Sequence, residues 1–306
     1  MRGPPWKDRS PHDARFTEVN GVRMNYLDWG GRGDPLILIH GYGDNPHIFD
    51  DFAPAFTDRY RVVAYARRAH GLTESKPPYD SETLANDLRG FMRQLRIPSA
   101  HLAGWSMGGN EITSIAGSHP ECVSKIVYLD AAYDWSDSSL HAALETFPID
   151  PRPPASAMQS WSSYLTWHHE MMFPALKSIG RVEAYLREMA VEQPDGALKM
   201  RMLSEAASAL WKGLLESHKD YTRVNSPVLA IYSTTFMDLE HGDPDLRSKF
   251  RNWEENYFGP FRGVSMQKLR TELSNSEVLT VPGTHTDFVL TSREKVSKAI
   301  IEFLSD

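Results

Sequence analysis

Gly104-Trp105-Ser106-Met107-Gly108-Gly109 sets a serine between two glycines, each two residues away. A serine hydroxyl becomes a nucleophile only when it is exposed and a base can take its proton. The G-x-S-x-G spacing supplies the exposure. On a strand-to-helix turn tight enough to push the hydroxyl above a sheet, side chains two residues before and after would clash, so glycine stands at both places. An apolar run, His101 to Ala103, precedes the motif, and a helical run, Asn110 to Gly117, follows it. That helix would aim its first amides and its positive dipole end at a developing oxyanion. Ser106 is the expected nucleophile.

The expected base is His285, in Val281-Pro282-Gly283-Thr284-His285, on the loop after the last apolar run. In an open parallel sheet the carboxyl ends of the strands carry the ligand site, so this imidazole falls on the same edge as the serine turn. Neutral imidazole takes the serine proton as acyl transfer begins and returns it to the leaving group. A carboxylate must fix its tautomer. Asp130, at the end of Val127-Tyr128-Leu129-Asp130, is the first choice, and Asp238, after Val228 to Tyr232, is the alternative. Asp134 and Asp243 stand behind them. Ile39-His40-Gly41-Tyr42-Gly43 follows another apolar run. Gly41 lets that loop bend, so the amides of Tyr42 and Met107 are expected to form an oxyanion hole. His40 is expected to brace the loop.

The elements that must place these residues follow from the hydrophobic pattern. Phe16 to Val19 and Val22 to Tyr26 alternate around Asn20-Gly21, a hairpin signal. Pro35 to Ile39, Arg61 to Tyr65, Lys125 to Leu129, Val228 to Tyr232 and Val278 to Val281 are short apolar runs of buried strands. Helical spacing at Leu84, Leu88, Phe91 and Leu95, and again from Arg293 to Leu304, lies between or after them. Strand and helix alternation predicts an α/β fold with a doubly wound, mostly parallel sheet. Between about Asp134 and Arg223 the alternation stops and only helical segments and proline-rich loops are read. That is too long for a loop and predicts an inserted helical cap. The expected organisation is an arm over 1–15, a core over 16–133 and 224–306, and the cap over 134–223. A helical stretch from Asp245 to Leu273 is expected to break near Gly259-Pro260.

Composition removes several function classes. A net charge of −7 without a long basic run argues against nucleic acid. No stretch reaches the roughly 18 apolar residues of a membrane span. The polar, proline-containing start lacks a signal peptide's apolar centre, and the single cysteine, Cys122, excludes an internal disulfide. The expected location is the cytoplasm. His168-His169-Glu170 lacks the i, i+4 spacing of a helical zinc pair, and Glu240-His241-Gly242-Asp243 reads as a solvated loop. No metal and no cofactor are expected.

These pieces together resemble the α/β-hydrolase fold family. The resemblance rests on His40-Gly41-Tyr42-Gly43, Arg68-Ala69-His70-Gly71-Leu72-Thr73, Gly104 to Gly109 and Pro282-Gly283-Thr284-His285, and it covers Phe16 to Asp134 and Pro227 to the C-terminus. It implies the fold and the nucleophile rather than the substrate. Two positions depart from the family pattern. Ala66-Arg67 stands where relatives often have Asp-Leu, and Phe236 stands where they often carry the acid, with Ser233 in place of a strand-closing glycine. Haloalkane dehalogenases and epoxide hydrolases share the fold but have aspartate at the turn, against which Ser106 argues. The resemblance leaves ester, thioester, lactone and amide hydrolysis, C–C cleavage, cofactor-free peroxidation and a hydrolase-like ligand receptor. The expected activity is carboxylic-ester hydrolysis of a small, largely apolar molecule. Tyr42, Trp135, Trp161 and Trp167 are the expected substrate contacts, with Phe147, Tyr164, Phe173 and Trp211 nearby in sequence or in the cap. Met171 and Met172 would give an adaptable wall.

Overall fold

The structure, a computed structural model, describes residues 6–306. The hairpin around Asn20-Gly21 forms as expected. Both residues take positive φ, and β1 (Asp13–Val19) pairs antiparallel with β2 (Val22–Gly30). β1 takes in the last three residues of the expected arm, whose residues 1–5 lie outside the described residues. There follow β3 (Pro35–Ile39), β4 (Arg61–Tyr65), α1 (Ser81–Gln94), β5 (Ala100–Trp105), α2 (Gly108–Ser118) and β6 (Val123–Leu129). β3 alternates strictly: Leu36 and Leu38 enter one core, Ile37 and Ile39 the other, so both faces of the sheet are covered. α1 starts because Asp80 accepts from the Thr83 amide, and it buries Leu84, Leu88 and Phe91.

Between β6 and the next strand of this sheet lie α3 (Ser138–Glu145), α4 (Trp161–Met171), α5 (Glu183–Met189), β7 (Ala190–Glu192), β8 (Leu198–Met200) and α6 (Ser204–Leu215). The insertion is therefore not purely helical, contrary to the reading of its sequence as helices and loops. β7 and β8 pair antiparallel across Asp195-Gly196, where Gly196 adopts φ +90° and the Gln193 amide reaches the Ala197 carbonyl at 2.7 Å. An Asp-Gly turn signal flanked by only three-residue strands is too short to register as alternation.

The chain then returns through β9 (Val228–Thr235), α7 (Pro244–Trp253), α8 (Gly259–Glu272), β10 (Ser276–Thr284), α9 (Phe288–Thr291) and α10 (Arg293–Ser305). The expected break at Gly259-Pro260 does not occur. A π-helical stretch, Glu254–Phe258, joins α7 to α8, and Pro260 falls in the first turn of α8, where its missing N–H is tolerated. Among the described residues the sheet order is β1-β2-β4-β3-β5-β6-β9-β10, antiparallel through β2–β4 and parallel from β4 onward. No helix among them is long and apolar enough to cross a membrane.

Arg67, one of the two departures from the family pattern, fastens the loop after β3. Its guanidinium is buried and donates to the His40 carbonyl at 2.6 Å and the Gly41 carbonyl at 2.8 Å, and its Nε meets Glu111 Oε1 at 2.5 Å. Tyr65 donates to the other oxygen of Glu111. His40 Nε2 accepts from the Arg67 amide at 3.1 Å, and its Nδ1 lies 2.8 Å from the Gly41 carbonyl. Burial, then the Arg67 charge, hold His40 far below its ordinary value, so it is a neutral brace. Replacing Arg67 by Met strands the Glu111 carboxylate in the core, a loss of about 3–5 kcal/mol in urea unfolding. Adding Glu111→Leu should recover part of that loss. Equal stability of R67M and wild type would contradict the buried pair.

Candidate active site

Ser106 sits between β5 and α2 with φ +51°, a left-handed conformation unusual for a residue with a side chain. The flanking glycines are steric necessities. A Cβ on Gly104 would stand 2.7 Å from the Gly108 backbone, and one on Gly108 would stand 2.4 Å from the Ile39 carbonyl oxygen. α2 thereby packs on the sheet closely enough for its first turn to border the loop after β3. That loop also approaches the serine: a Cβ on Gly41 would be 3.2 Å from Ser106 Cβ. The start of α2 has no side-chain cap.

His285 follows β10. Its amide lies 3.0 Å from the Thr235 carbonyl and 3.1 Å from that of Phe236, and its carbonyl accepts from Trp105 Nε1 at 3.0 Å. Gly283, at φ +123°, lets the chain bend, and Asp287 Oδ1 accepts from the Thr284 amide at 3.0 Å. The imidazole arrives with Nε2 3.0 Å from Ser106 Oγ and Nδ1 2.8 Å from Asp130 Oδ2. The hydrogen-bond pattern assigns the proton to Nδ1. Ser106, His285 and Asp130 are all buried, Asp130 completely.

Asp130 is surrounded by donors. Tyr133 donates its hydroxyl to Oδ1 at 2.5 Å, and Ser233 gives its hydroxyl to Oδ2 at 2.6 Å and its amide to Oδ1 at 3.3 Å. Burial pushes the carboxyl up. The hydrogen bonds from His285, Ser233 and Tyr133 outweigh it and hold the group below the usual carboxylate range. Asp238 is committed elsewhere. It accepts from the Glu240 and His241 amides at 2.7 and 2.8 Å and pairs with the His241 ring at 2.9 Å, capping its own loop. Asp134 binds Lys268 at 2.9 Å, and Asp243 caps α7.

Sequence reasoning does not reach the contacts that Ser233, Tyr133, Trp105 and Phe236 make around Asp130 and His285. Phe236 stacks on the His285 ring at 4.6 Å and 11°, so the side chain at the family's acid position holds the base by its face. It also misses Asp44, which accepts from Tyr185 of α5 at 2.6 Å; burial raises this carboxyl. Of the expected substrate contacts, Tyr42 and Trp135 converge through Trp211, with ring centroids 5.1 and 6.2 Å from it. The Tyr42 hydroxyl donates to the Ala207 carbonyl at 3.0 Å. Trp161 instead gives its Nε1 to Glu192 and lies under Arg187, while Trp167 packs on His168, so neither joins that cluster. His168 and His169 spend their polar contacts on the Tyr164 and Leu176 carbonyls.

This architecture, a parallel sheet carrying a serine turn and a histidine loop on one edge, is that of a hydrolase scaffold. Residues 34–188 match the alpha/beta hydrolase fold family, and the chain belongs to it. A non-heme chloroperoxidase of Kitasatospora aureofaciens is 37% identical over 105 residues, which is 34% of this chain and 38% of that protein. A fluoroacetate dehalogenase of a Burkholderia species is 33% identical over 125 residues, 39% and 40% of the two chains. The matches thus span about two fifths of these relatives' lengths. A 2-(acetamidomethylene)succinate hydrolase of Mesorhizobium japonicum is 28% identical over 71% of this chain and 76% of its own. The crystal structure of an E-2-(acetamidomethylene)succinate hydrolase shares the fold with a TM-score of 0.76 at 20% identity, covering 96% of this chain and 100% of that one.

The depressed Asp130 carboxyl has a consequence for acid stability. Its contribution is present above the ordinary aspartate value of about 4 and is lost as pH falls through the lower folded value. Ser233→Ala removes a charge-assisted hydrogen bond, costing about 1.5–3 kcal/mol above pH 4. Because the folded value then rises toward the unfolded one, this part of the acid transition should finish at higher pH in the variant. Urea unfolding at a series of pH values measures both. Superimposable profiles would show that Ser233 does not hold the charge.

Proposed function

We propose that this chain is a carboxylic-ester hydrolase that works through an acyl-enzyme on Ser106. The observation that carries the reading is the unbroken line from Ser106 Oγ through His285 to Asp130, with contacts of 3.0 and 2.8 Å.

In this mechanism Ser106 Oγ attacks the ester carbonyl while His285 Nε2 takes its proton. The carbonyl oxygen gathers negative charge and is received by the amides of Tyr42 and Met107, whose positions are fixed before substrate arrives. Collapse breaks the bond to the alkoxy oxygen, and His285 returns the proton to that leaving alcohol. Water then repeats the sequence: His285 takes one proton, the hydroxide oxygen bonds the acyl carbon, and Ser106 leaves with the proton restored. Asp130 stays ionised throughout and stabilises the imidazolium. Phe236, face to face with the ring, favours the same cation and fixes its plane. The aromatic group of Tyr42, Trp211 and Trp135 supports an apolar or aromatic acyl or alcohol portion. The insertion over 134–223 serves in this reading as the cap that carries two of those rings.

A chromogenic short-chain ester tests the proposal directly. Wild type should turn it over, and a fluorophosphonate should label Ser106. Asp130→Asn should lower turnover by about 10³ to 10⁴, whereas Asp238→Asn should change it only a few-fold. Absence of both turnover and label ends the proposal, and a larger loss at Asp238 reassigns the acid. Slow labelling with a ligand-dependent thermal shift would instead indicate a receptor. Cleavage of a vinylogous diketone or peroxide-dependent halogenation, without ester turnover, would place the same three residues in C–C hydrolysis or peroxidation.

A further inference from the structure

Five ionisable side chains converge away from Ser106. Asp8 and His12 come from the segment before β1. His47 and Asp50 come from the short 3-10 turn, Pro46–Phe49, and the residue that ends it, just beyond the loop of Tyr42. Glu188 comes from α5 of the insertion. His12 lies between two carboxylates and His47 among three. His12 turns Nε2 toward Asp8 Oδ2 at 3.3 Å, while its Nδ1 is held by Asp50 Oδ1 at 2.9 Å. His47 keeps Nδ1 2.8 Å from Asp50 Oδ2 and 3.8 Å from the same Asp8 oxygen, while its Nε2 is held by Glu188 Oε2 at 3.2 Å. One donor atom from each of Asp8, His12 and His47 lies within 4.8 Å of the other two.

We propose that Asp8, His12 and His47 form a binding site for a divalent transition-metal ion of the zinc class, with Asp50 and Glu188 orienting the two imidazoles. Two imidazoles and one carboxylate make the donor set that suits zinc rather than magnesium or calcium, which take oxygen ligands. A tetrahedral ion with bonds of about 2.0–2.2 Å needs its ligand atoms roughly 3.3–3.6 Å apart. The two edges to Asp8 are 3.3 and 3.8 Å, and the edge between the imidazoles, within 4.8 Å, would close by a side-chain adjustment. The carboxylate on the far nitrogen of each ring is the partner that metal-bound histidines commonly keep, because it fixes the tautomer and strengthens the donor. An ion bound by His47 Nδ1 would displace Asp50 Oδ2 from that nitrogen and leave Asp50 on His12, and Ser10 Oγ lies 2.8 Å from Asp8 Oδ1 and 2.9 Å from Asp50 Oδ2. The histidine side chains are almost closed off, at 3% and 9% exposure, and Asp8 at 30% faces the outside, so an ion can enter there and retain a water as its fourth ligand. The ion would pin the N-terminal segment to the turn behind the loop of Tyr42, independently of the ester-hydrolase reading.

The test uses the full chain, stripped with a chelator and then equilibrated with zinc alone. One equivalent of zinc should remain after dialysis by elemental analysis, and the unfolding midpoint should rise with zinc concentration. His12→Ala and His47→Ala should lose that equivalent. Glu188→Gln should keep the stoichiometry and bind about 10- to 100-fold more weakly. Asp8→Asn changes a partly exposed residue before the first strand, so it carries the test if a histidine variant does not fold; it too should lose most of the bound zinc. A wild-type chain that retains no zinc overturns the proposal and leaves the cluster as imidazolium–carboxylate ion pairs. Equal zinc uptake by wild type and the His12 and Asp8 variants overturns it as well.

Discussion

Much of the site's geometry depends on keeping one buried carboxylate charged. Asp130 has no exposed surface, and an unpaired anion there would be too costly to persist. It survives because both oxygens are supplied with donors: Tyr133 three residues on, Ser233 from the adjacent strand, and His285 from the end of the sheet. These donors come from three places in the chain, and the register of β6 against β9 and of β9 against β10 is what brings them together. The same charge faces the imidazole from the side opposite Ser106. Holding Asp130 ionised and holding His285 in its Nδ1–H tautomer are one requirement, met by one set of hydrogen bonds.

A second constraint is how near backbones may come. The serine turn depends on α2 lying against the sheet with no side chain between them, which Gly104, Gly108 and Gly109 permit; a Cβ on Gly109 would stand 2.4 Å from the Ala131 carbonyl oxygen. Gly109 therefore ties the first turn of α2 to the strand end that carries Asp130. The loop after β3 is set by polar contacts instead. Arg67 holds two of its carbonyls, His70 Nε2 accepts its Gly43 amide at 3.2 Å, and Tyr185 of α5 binds Asp44. A buried guanidinium that satisfies two carbonyls of one loop is a stiff way to fix its course beside Ser106.

Much of this was legible in the sequence, and the reasons are local. Short apolar runs mark parallel strands because both faces are buried, and G-x-S-x-G lies between a strand and a helix, so the α/β-hydrolase fold and the meeting of Ser106 with His285 can be read. The carboxylate was harder. Asp130 and Asp238 both follow strands of the same sheet, and what separates them is which one finds donors across the chain. No spacing reveals that Ser233 and Tyr133 both point at residue 130. Phe236 read as a defect in a pattern, whereas it packs on the base. Trp161 and Trp167 were drawn in by residue type alone, but Glu192, Arg187 and His168 occupy them. The Asp8, His12 and His47 cluster was invisible because its members come from separate segments, and only the fold makes them neighbours.

The insertion is tied to the core at the point where chemistry is most sensitive to position. α5 touches the loop of Tyr42 and the turn behind it: the Tyr185 carbonyl accepts from Asn45 Nδ2 at 2.9 Å, its hydroxyl reaches Asp44, and Glu188 reaches His47. α6 adds the bond from the Tyr42 hydroxyl to the Ala207 carbonyl. A segment joined to the core only through covalent links at 134 and 223 could shift without consequence. One that holds residues 42, 44, 45 and 47 cannot move far without moving the loop that passes Ser106 at Gly41. The aromatic group of Tyr42, Trp135 and Trp211 and the loop beside Ser106 are therefore joined through a few polar contacts.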